Sequence, residues 1–448
     1  MKNFLVKIFM RAIGIDIGTT TISMAVVEKD MDTGSKTLLD SRTILNESHI
    51  KTEKEWEFLQ NPEWIVGKIQ EVLEELLTVY PDTECIGLTG QMHGILYVNK
   101  EGKAVSPLYT WQDKRGDLPE FSGLSLIELL DREQNIPLAS GYGLVTHLFQ
   151  MKKGQVPSQA ASLCTIGDYV GMRLTDRTTP LLHVSNAASL GFFLTEKGEF
   201  NKEMLETLGT DLSILPQITR GDEFLGKYRG IPVAAALGDN QASFYGAVGM
   251  EEKNLLLNMG TGGQVSMMSS RYREIPGIET RPYVKGNYIL VGASLCGGRA
   301  YGILEKFFRS YGAALTGKEE GQYGLMEKLA WEVAESQERL RVDTSFMGTR
   351  EKPEARGSIE NMSQDNFTPG HLIYGVLEGM ARELYNMYRK ISGQTGESEK
   401  VTASGNGIRK NKVLQHICRE IFQREIELAQ CKEEAAWGAA LWSLESKT

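Results

Sequence analysis

Cysteine is scarce and poorly placed for cross-linking. Cys85, Cys164, Cys296, Cys418 and Cys431 are odd in number, widely spaced and form no C-x-x-C pair. Neither a disulfide framework nor a zinc knuckle is expected, and a reducing, cytoplasmic setting suits them. Long apolar runs are missing too. No uncharged apolar stretch reaches the roughly 18 residues that a membrane-spanning helix needs. Positive charge is in deficit, with 49 Lys plus Arg against 58 Asp plus Glu and a net charge of −9. Without a basic block, sequence-independent nucleic-acid binding is excluded as an expectation, because it works by neutralising phosphates. A small anion held locally stays compatible with this charge. The six histidines are scattered, and no H-E-x-x-H, nucleophile elbow or Ser/His/Asp signature supports a hydrolase or metalloprotease. Neither G-x-x-x-x-G-K-[ST] nor G-x-G-x-x-G occurs, so a P-loop and a Rossmann site are unsupported.

The 448 residues and their 41% hydrophobic content are enough for two or three domains with sizeable cores. At the start, Lys7 and Arg11 interrupt the apolar run of MKNFLVKIFMRA and no small-residue cleavage site follows. Residues 1–11 therefore read as a short N-terminal overhang rather than a signal peptide. Residues 12–28, AIGIDIGTTTISMAVVE, read as two apolar strands around a tight Gly18-Thr19-Thr20 turn, and 254–268, NLLLNMGTGGQVSMM, repeats the pattern. Two such hairpins imply two related halves. Between them strands and helices alternate, as an α/β fold requires. Asn61-Pro62 is the cap and first position of a helix with Ile65, Ile69, Val72, Leu73, Leu76 and Leu77 on one face. The spacing predicts further helices over 369–391, capped by Gly393, over 409–422 and over 434–445. The expected domains are 12–243 and 244–448, with a cleft near their boundary.

Several turns carry groups suited to chemistry. Asp16-Ile17-Gly18-Thr19-Thr20 puts a carboxylate, bare amides and hydroxyls at a strand end. Glycine lets the backbone approach an anion, and Asp16 is placed to hold a Mg²⁺ bridging phosphates. Thr261 and Gly262 repeat this equipment in the second half, and Gly405-Asn406-Gly407 is a strand-to-helix turn suited to an adenine or ribose edge. The apolar strand IPVAAAL runs into Gly238-Asp239-Asn240-Gln241. Strand ends of this kind bind ligands in α/β sheets, and a carboxylate there can take a hydroxyl proton while amides orient its neighbours. Gln91-Met92-His93 and Trp111-Gln112-Asp113-Lys114-Arg115 mix amide, imidazole, carboxylate, guanidinium and an aromatic wall, as a polyol site demands. Taken singly, the Gly238-Asp239 and Gly405-Asn406-Gly407 turns are more often ordinary turn geometry and a lone His93 more often ordinary core, and Trp111 is compatible with core packing as well.

Together the motifs resemble the FGGY carbohydrate kinases, relatives of actin and the heat-shock ATPases. The resemblance is carried by IGIDIGTTT, LTGQMHG, YTWQDKRG, VSNAASLGFF, ALGDNQAS, LNMGTGG, GASLCGG, SGNGIRKNKVLQHI and AAWGAAL in this order, from about Ile13 to Leu444. It is weakest over 30–60, 270–285 and 310–345. The resemblance implies two actin-like, ribonuclease H-like α/β domains with mixed sheets flanked by helices and a central cleft. It implies ATP and Mg²⁺ as cofactors and a small sugar as partner, with a homodimer admitted. The expected reaction is γ-phosphoryl transfer to the terminal hydroxyl of a ketose, with sedoheptulose foremost. Another sugar such as xylulose or ribulose stays open, as does an actin-like ATPase acting on a protein partner. By resemblance, Asp239 is the catalytic base and Asp16 serves the metal and the transferring phosphate. Gly18, Thr19, Thr20, Thr261 and Gly262 line the phosphates, and Gln91, Met92, His93, Trp111, Asp113, Arg115, Asn240 and Gln241 line the sugar. Gly292, Cys296, Gly405, Asn406 and Asn411 lie on the nucleotide segments. Asn406 and Cys296 depart from the residues many relatives carry.

Overall fold

A computed structural model describes residues 9–134, 138–221 and 223–447. Residues 1–8 of the expected overhang lie outside this range. Residues 9–11 do not overhang; they open the first strand, β1 (Phe9–Ile17), and pair with residues 28–30 of β2 (Thr21–Asp30). Arg11 adds ion pairs to Glu28 at 2.7 Å and Asp82 at 2.6 Å, so the polar residue that seemed to end an apolar run ties the strand down.

The chain forms two units. The first holds the residues up to Gly246 together with Arg281–Asn287 and the segment from Glu433 onward; the second holds Ala247–Thr280 and Tyr288–Lys432. In the first, β3 (Lys36–Leu45), β4 (Cys85–Gly90), β5 (Phe224–Tyr228) and β6 (Ile231–Ala234) complete a mixed sheet in the order β5-β6-β4-β1-β2-β3. Strands β1, β2 and β3 are antiparallel, whereas β4 runs parallel to β1. A two-residue strand, β7 (Leu237–Gly238), also pairs in parallel with β4, on the edge away from β1 and level with its end. The parallel strand β4 is buried along its whole length, which explains why CIGLTG lacks polar alternation.

The second unit repeats the scheme with β8 (Asn254–Met259), β9 (Gly263–Ser269), β10 (Glu279–Pro282), β11 (Tyr288–Ser294), β12 (Lys400–Ser404) and β13 (Ile426–Leu428). Their order is β10-β11-β9-β8-β12-β13. Each unit thus contains three antiparallel strands followed by two parallel ones: β3-β2-β1-β4-β6 in the first and β11-β9-β8-β12-β13 in the second. This is the duplicated architecture that the two hairpins announced.

Helix ends show where local rules held and where packing overrode them. Asn61 caps the helix Pro62–Val79 by accepting from the amides of Glu63 and Trp64. The long helix Pro369–Thr395 runs through Gly393 and ends at Gly396, whose φ of 88° suits glycine. The helical hydrogen bonding continues past the predicted stop until Gly396 N donates to Ser392 O at 2.8 Å. The predicted helix 409–422 is two, Asn406–Lys410 and Lys412–Phe422, because Asn411 leaves helical geometry and caps the second through Leu414 N at 2.9 Å. Among the described residues no helix is long and apolar enough to cross a membrane. All five cysteines are buried thiols.

The C-terminal helix Glu434–Glu445 lies directly on β1 and β4. A Cβ at Gly14 would overlap the Ala436 carbonyl oxygen, and one at Gly87 that of Ala439. The same helix meets the helix Asp239–Ala247 at Gly438, where a Cβ would overlap Ala242 O. Backbone touches backbone at each of these glycines, so no rotamer change relieves a larger residue. Gly87→Val should therefore destabilise the protein by roughly 3 kcal/mol or more. A denaturation midpoint unchanged from the parent would show that the helix is not seated this way.

Candidate active site

The turn after β1 is held from several sides. Gly18 O accepts Asn46 Nδ2 at 2.7 Å, Thr20 O accepts Asn46 N at 2.8 Å, and Thr19 O accepts Gln60 Nε2 at 2.8 Å. Gln91 Nε2 donates to Gln60 Oε1 at 2.8 Å, and Gln91 Oε1 accepts the Thr19 hydroxyl at 3.3 Å. The indole of Trp111 donates to that same hydroxyl at 3.0 Å. The segments predicted to contact phosphate and sugar are thus joined in one hydrogen-bonded relay. Thr19 and Gln91 spend their polar atoms inside it, whereas the Trp111 ring stays 48% exposed. Asn46 and Gln60 were not singled out from sequence; both fall at or beside the stretch of weakest resemblance.

His93 has a φ of 73°, unusual for a residue with a Cβ and a form of strain that collects at functional sites. Its amide donates to Ser189 Oγ at 3.1 Å and its Nδ1 lies 2.7 Å from Ser189 O. A carbonyl only accepts, so Nδ1 carries the proton and Nε2 presents a lone pair. Burial lowers the pKa of the ring, against the Ser189 hydrogen bond, which raises it, and together with the Arg281 charge, which lowers it further. Tyr142 stacks on it with centroids 5.0 Å apart and planes 10° from parallel.

The helix Val184–Ser189 ties His93 to the Asp239 strand end. Besides the Ser189 contacts, Asn186 Nδ2 donates to Ala236 O at 2.9 Å and Ser185 Oγ accepts Gly238 N at 3.0 Å. Met92 is buried against Gly238, where a Cβ would press on its terminal methyl. Asp239 opens its helix and accepts Asn240 N at 2.6 Å. Burial pushes its pKa up to about 6, against that hydrogen bond and the Arg281 charge, which pull it down. Around it Asn186 Oδ1, Asn240 Oδ1 and Gln241 Oε1 are buried acceptors without a donor in the structure. Asn186 lay inside the VSNAASLGFF motif, but spacing alone did not mark it as a site residue.

Asp16 is raised to about 7, by burial first and then by the charges of Asp239 and Glu433. Among the described residues no three His, Cys, Asp or Glu side chains converge on one metal position. A carboxylate surrounded by like charge nevertheless favours a cation. Mg²⁺ commonly takes one or two carboxylates and fills its remaining positions with water and phosphate oxygens, so Asp16 fits that ion.

Asp113 and Arg115 face each other. The guanidinium bonds both carboxylate oxygens, at 2.7 and 3.0 Å, and lies 4.3 Å from the Tyr109 ring centroid. Phe58 N and Arg115 N occupy further acceptor positions of the carboxylate. Both side chains are fully buried, so this pair braces the Trp111 segment from beneath.

In the second unit the Gly260–Gly262 turn receives the amides of Gly298 and Arg299 from the helix Gly297–Thr316, at 3.1 and 3.0 Å. Cβ atoms at Gly297 and Gly298 would overlap this turn, which explains the paired glycines of GASLCGG. Gly292 packs against Met387, and Cys296 is buried beneath the helix start. Gly405 turns at φ 87° against Met259 O, Asn406 is exposed, and the Asn411 side chain is engaged in its cap.

The buried pair offers a test of the brace. Asp113→Ala leaves a guanidinium buried without its partner and should cost about 3–5 kcal/mol of stability. Replacing both members, Asp113→Leu with Arg115→Met, should cost less than that single change. Equal losses in chemical denaturation would contradict the closed pairing.

The family model for the N-terminal domain of the FGGY family of carbohydrate kinases matches residues 11–246, and that for its C-terminal domain matches 255–444. Human sedoheptulokinase is 27% identical over 468 residues, covering 96% of each chain. The xylulose kinase structure from Rhodospirillum rubrum superposes with a TM-score of 0.81 at 20% identity, over 98% of this chain and 90% of that one. Plasmodium falciparum glycerol kinase, solved with ADP, gives 0.78 at 19% identity over 98% and 90%. With the duplicated actin-like fold and both domain matches in place, the chain belongs to the FGGY family of carbohydrate kinases.

Proposed function

We propose that the protein transfers the γ-phosphoryl group of MgATP to the terminal primary hydroxyl of a ketose, and that sedoheptulose is its preferred acceptor. The carrying observation is the group of donor-less amide oxygens beside Asp239. Unpartnered acceptors in a buried setting are costly unless a ligand brings donors, and a polyol brings one on every hydroxyl. The near full-length similarity to sedoheptulokinase supports the choice of sugar. An ATPase acting on a protein partner has no use for such an acceptor-lined end.

In this reading the acceptor rests against the exposed Trp111 face, and His93 Nε2 takes a hydrogen bond from one of its hydroxyls. Asn186, Asn240 and Gln241 accept from others. Asp239 takes the proton of the attacking hydroxyl, its basicity increased by burial. Thr261, Gly262 and the amides of the Gly18–Thr20 turn hold phosphate oxygens, while the Gly405–Asn406 turn holds the adenosine. Asp16 holds the Mg²⁺, which supplies charge neutralisation at the phosphates. Asp113 and Arg115 position Trp111 and the sugar segment from below.

A coupled ADP-release assay over ketoses and polyols tests the substrate. Sedoheptulose should give the highest kcat/KM. Xylulose or ribulose ahead by about tenfold would remove the sugar assignment, since polar sites commonly discriminate by larger factors. Acceptor-independent ADP release alone would remove the sugar-kinase reading.

Asp239→Asn should lower kcat by about 10²–10⁴ with MgATP binding unchanged, and wild-type kcat/KM should fall as pH drops below about 6. The same change should stabilise. A carboxyl with a raised pKa binds its proton more tightly in the folded state, so its contribution is present below its ordinary pKa and is lost as pH rises through about 6. The asparagine variant should gain roughly 1–3 kcal/mol over wild type at pH 8 and little at pH 4. A variant that keeps full activity, or is no more stable at pH 8, contradicts the role given to Asp239.

A further inference from the structure

The hydrogen bonds around Thr19 form a closed circuit that can run in one direction only. Thr19 O is a main-chain carbonyl and only accepts, so the Gln60 atom 2.8 Å from it is the amide nitrogen. Gln60 Oε1 is then the acceptor for Gln91 Nε2 at 2.8 Å, which leaves Gln91 Oε1 to face the Thr19 hydroxyl at 3.3 Å. The hydroxyl therefore directs its single proton towards Gln91. It also accepts the Trp111 indole N–H at 3.0 Å, since an indole nitrogen only donates. Gln60 and Gln91 are both buried, which keeps water from competing for these bonds.

A phosphate oxygen is an acceptor and needs a donated proton. The Thr19 hydroxyl has none to offer unless the circuit opens, although resemblance set this residue along the phosphates. What the hydroxyl holds is the aromatic wall. The half-exposed Trp111 side chain has one polar atom, and that atom is bonded to Thr19. Its main chain is fixed separately by Gly141, where a Cβ would overlap Trp111 O. The orientation of the ring thus depends on the Thr19 hydroxyl.

We propose that Thr19 is a positioning residue for the sugar acceptor, its side chain fixing Trp111 and Gln91 while only its main chain serves the phosphates. The inference rests on the ketose-kinase reading above, in which the acceptor lies against Trp111. A wall held in place beforehand spares the acceptor the cost of ordering it. That advantage appears in acceptor binding and not in the phosphoryl-transfer step.

The experiment compares wild type, Thr19→Val, Thr19→Ser, Trp111→Phe and the Thr19→Val/Trp111→Phe double variant in sedoheptulose-dependent ADP release. Valine keeps the shape of threonine but neither donates nor accepts. In Thr19→Val the acceptor KM should rise about tenfold, the worth of one net hydrogen bond, with MgATP KM and kcat nearly unchanged. Serine keeps the hydroxyl and should restore most of the loss. Trp111→Phe removes the N–H, so the double variant should lose less than the product of the two single losses. A rise in MgATP KM or a fall in kcat, with acceptor KM unchanged, would place the hydroxyl on the phosphates and overturn the proposal. Single losses that simply multiply would overturn it too. If Thr19→Val no longer melts cooperatively, Trp111→Phe decides, because an unchanged acceptor KM there contradicts the role of the indole bond. Wild type that turns over no ketose at all removes the ketose-kinase reading, and this inference with it. Normal turnover with acceptor KM unchanged in Thr19→Val removes the inference alone.

Discussion

The contact on which the first unit depends is that of the C-terminal helix against bare backbone. Gly14 on β1, Gly87 on β4 and Gly438 on the helix itself bring main chains together with no side chain between them. Three chemical positions follow from that one seating. β1 ends beside Asp16, the helix that Asp239 opens is clamped through Ala242, and Glu433 sits at the start of the C-terminal helix within electrostatic range of Asp16. Groups separated by hundreds of residues are thereby fixed within one rigid packing arrangement.

Charge is then distributed unevenly within this unit. Burial raises both Asp16 and Asp239, with like charge adding to it at Asp16, whereas Asp113 is matched bidentately by Arg115. The matched pair serves shape. Buried carboxylates of this kind are costly, and in the proposed reading a cation and a proton-donating hydroxyl would relieve that cost. The neutral His93 and the donor-less amides beside Asp239 extend the same logic from charge to hydrogen bonding.

Much of the polar equipment acts at one remove from any ligand. Thr19, Gln91, Gln60, Asn46 and the Trp111 indole satisfy one another, so a turn that bare glycine and threonine would leave loose is preorganised. The Val184–Ser189 helix does the same between His93 and the strand end at Gly238. Asn411, placed on the adenosine segment by resemblance, works locally as a helix cap. Motif membership and direct contact are therefore different properties of these residues.

The sequence by itself determined the fold class, the two related hairpins, the helix capped by Asn61 and the turns at Gly18, Gly260 and Gly238. These depend on neighbours a few residues apart: period-two apolar runs, Asn-Pro caps and glycine turns carry their physics locally. The ordered motifs also carried the family. Only the tertiary structure decided what depends on distant partners. It ran the long helix past Gly393 to a cap at Gly396, and it split the later helix at Asn411. It closed Asp113 on Arg115 and returned residues 281–287 and the C-terminal helix to the first unit. It placed Arg281, Glu433, Asn186, Gln60 and Tyr142 around residues far from them in the chain. Sequence spacing carries no information about such meetings, because they are set by which surfaces the packed glycines allow to touch.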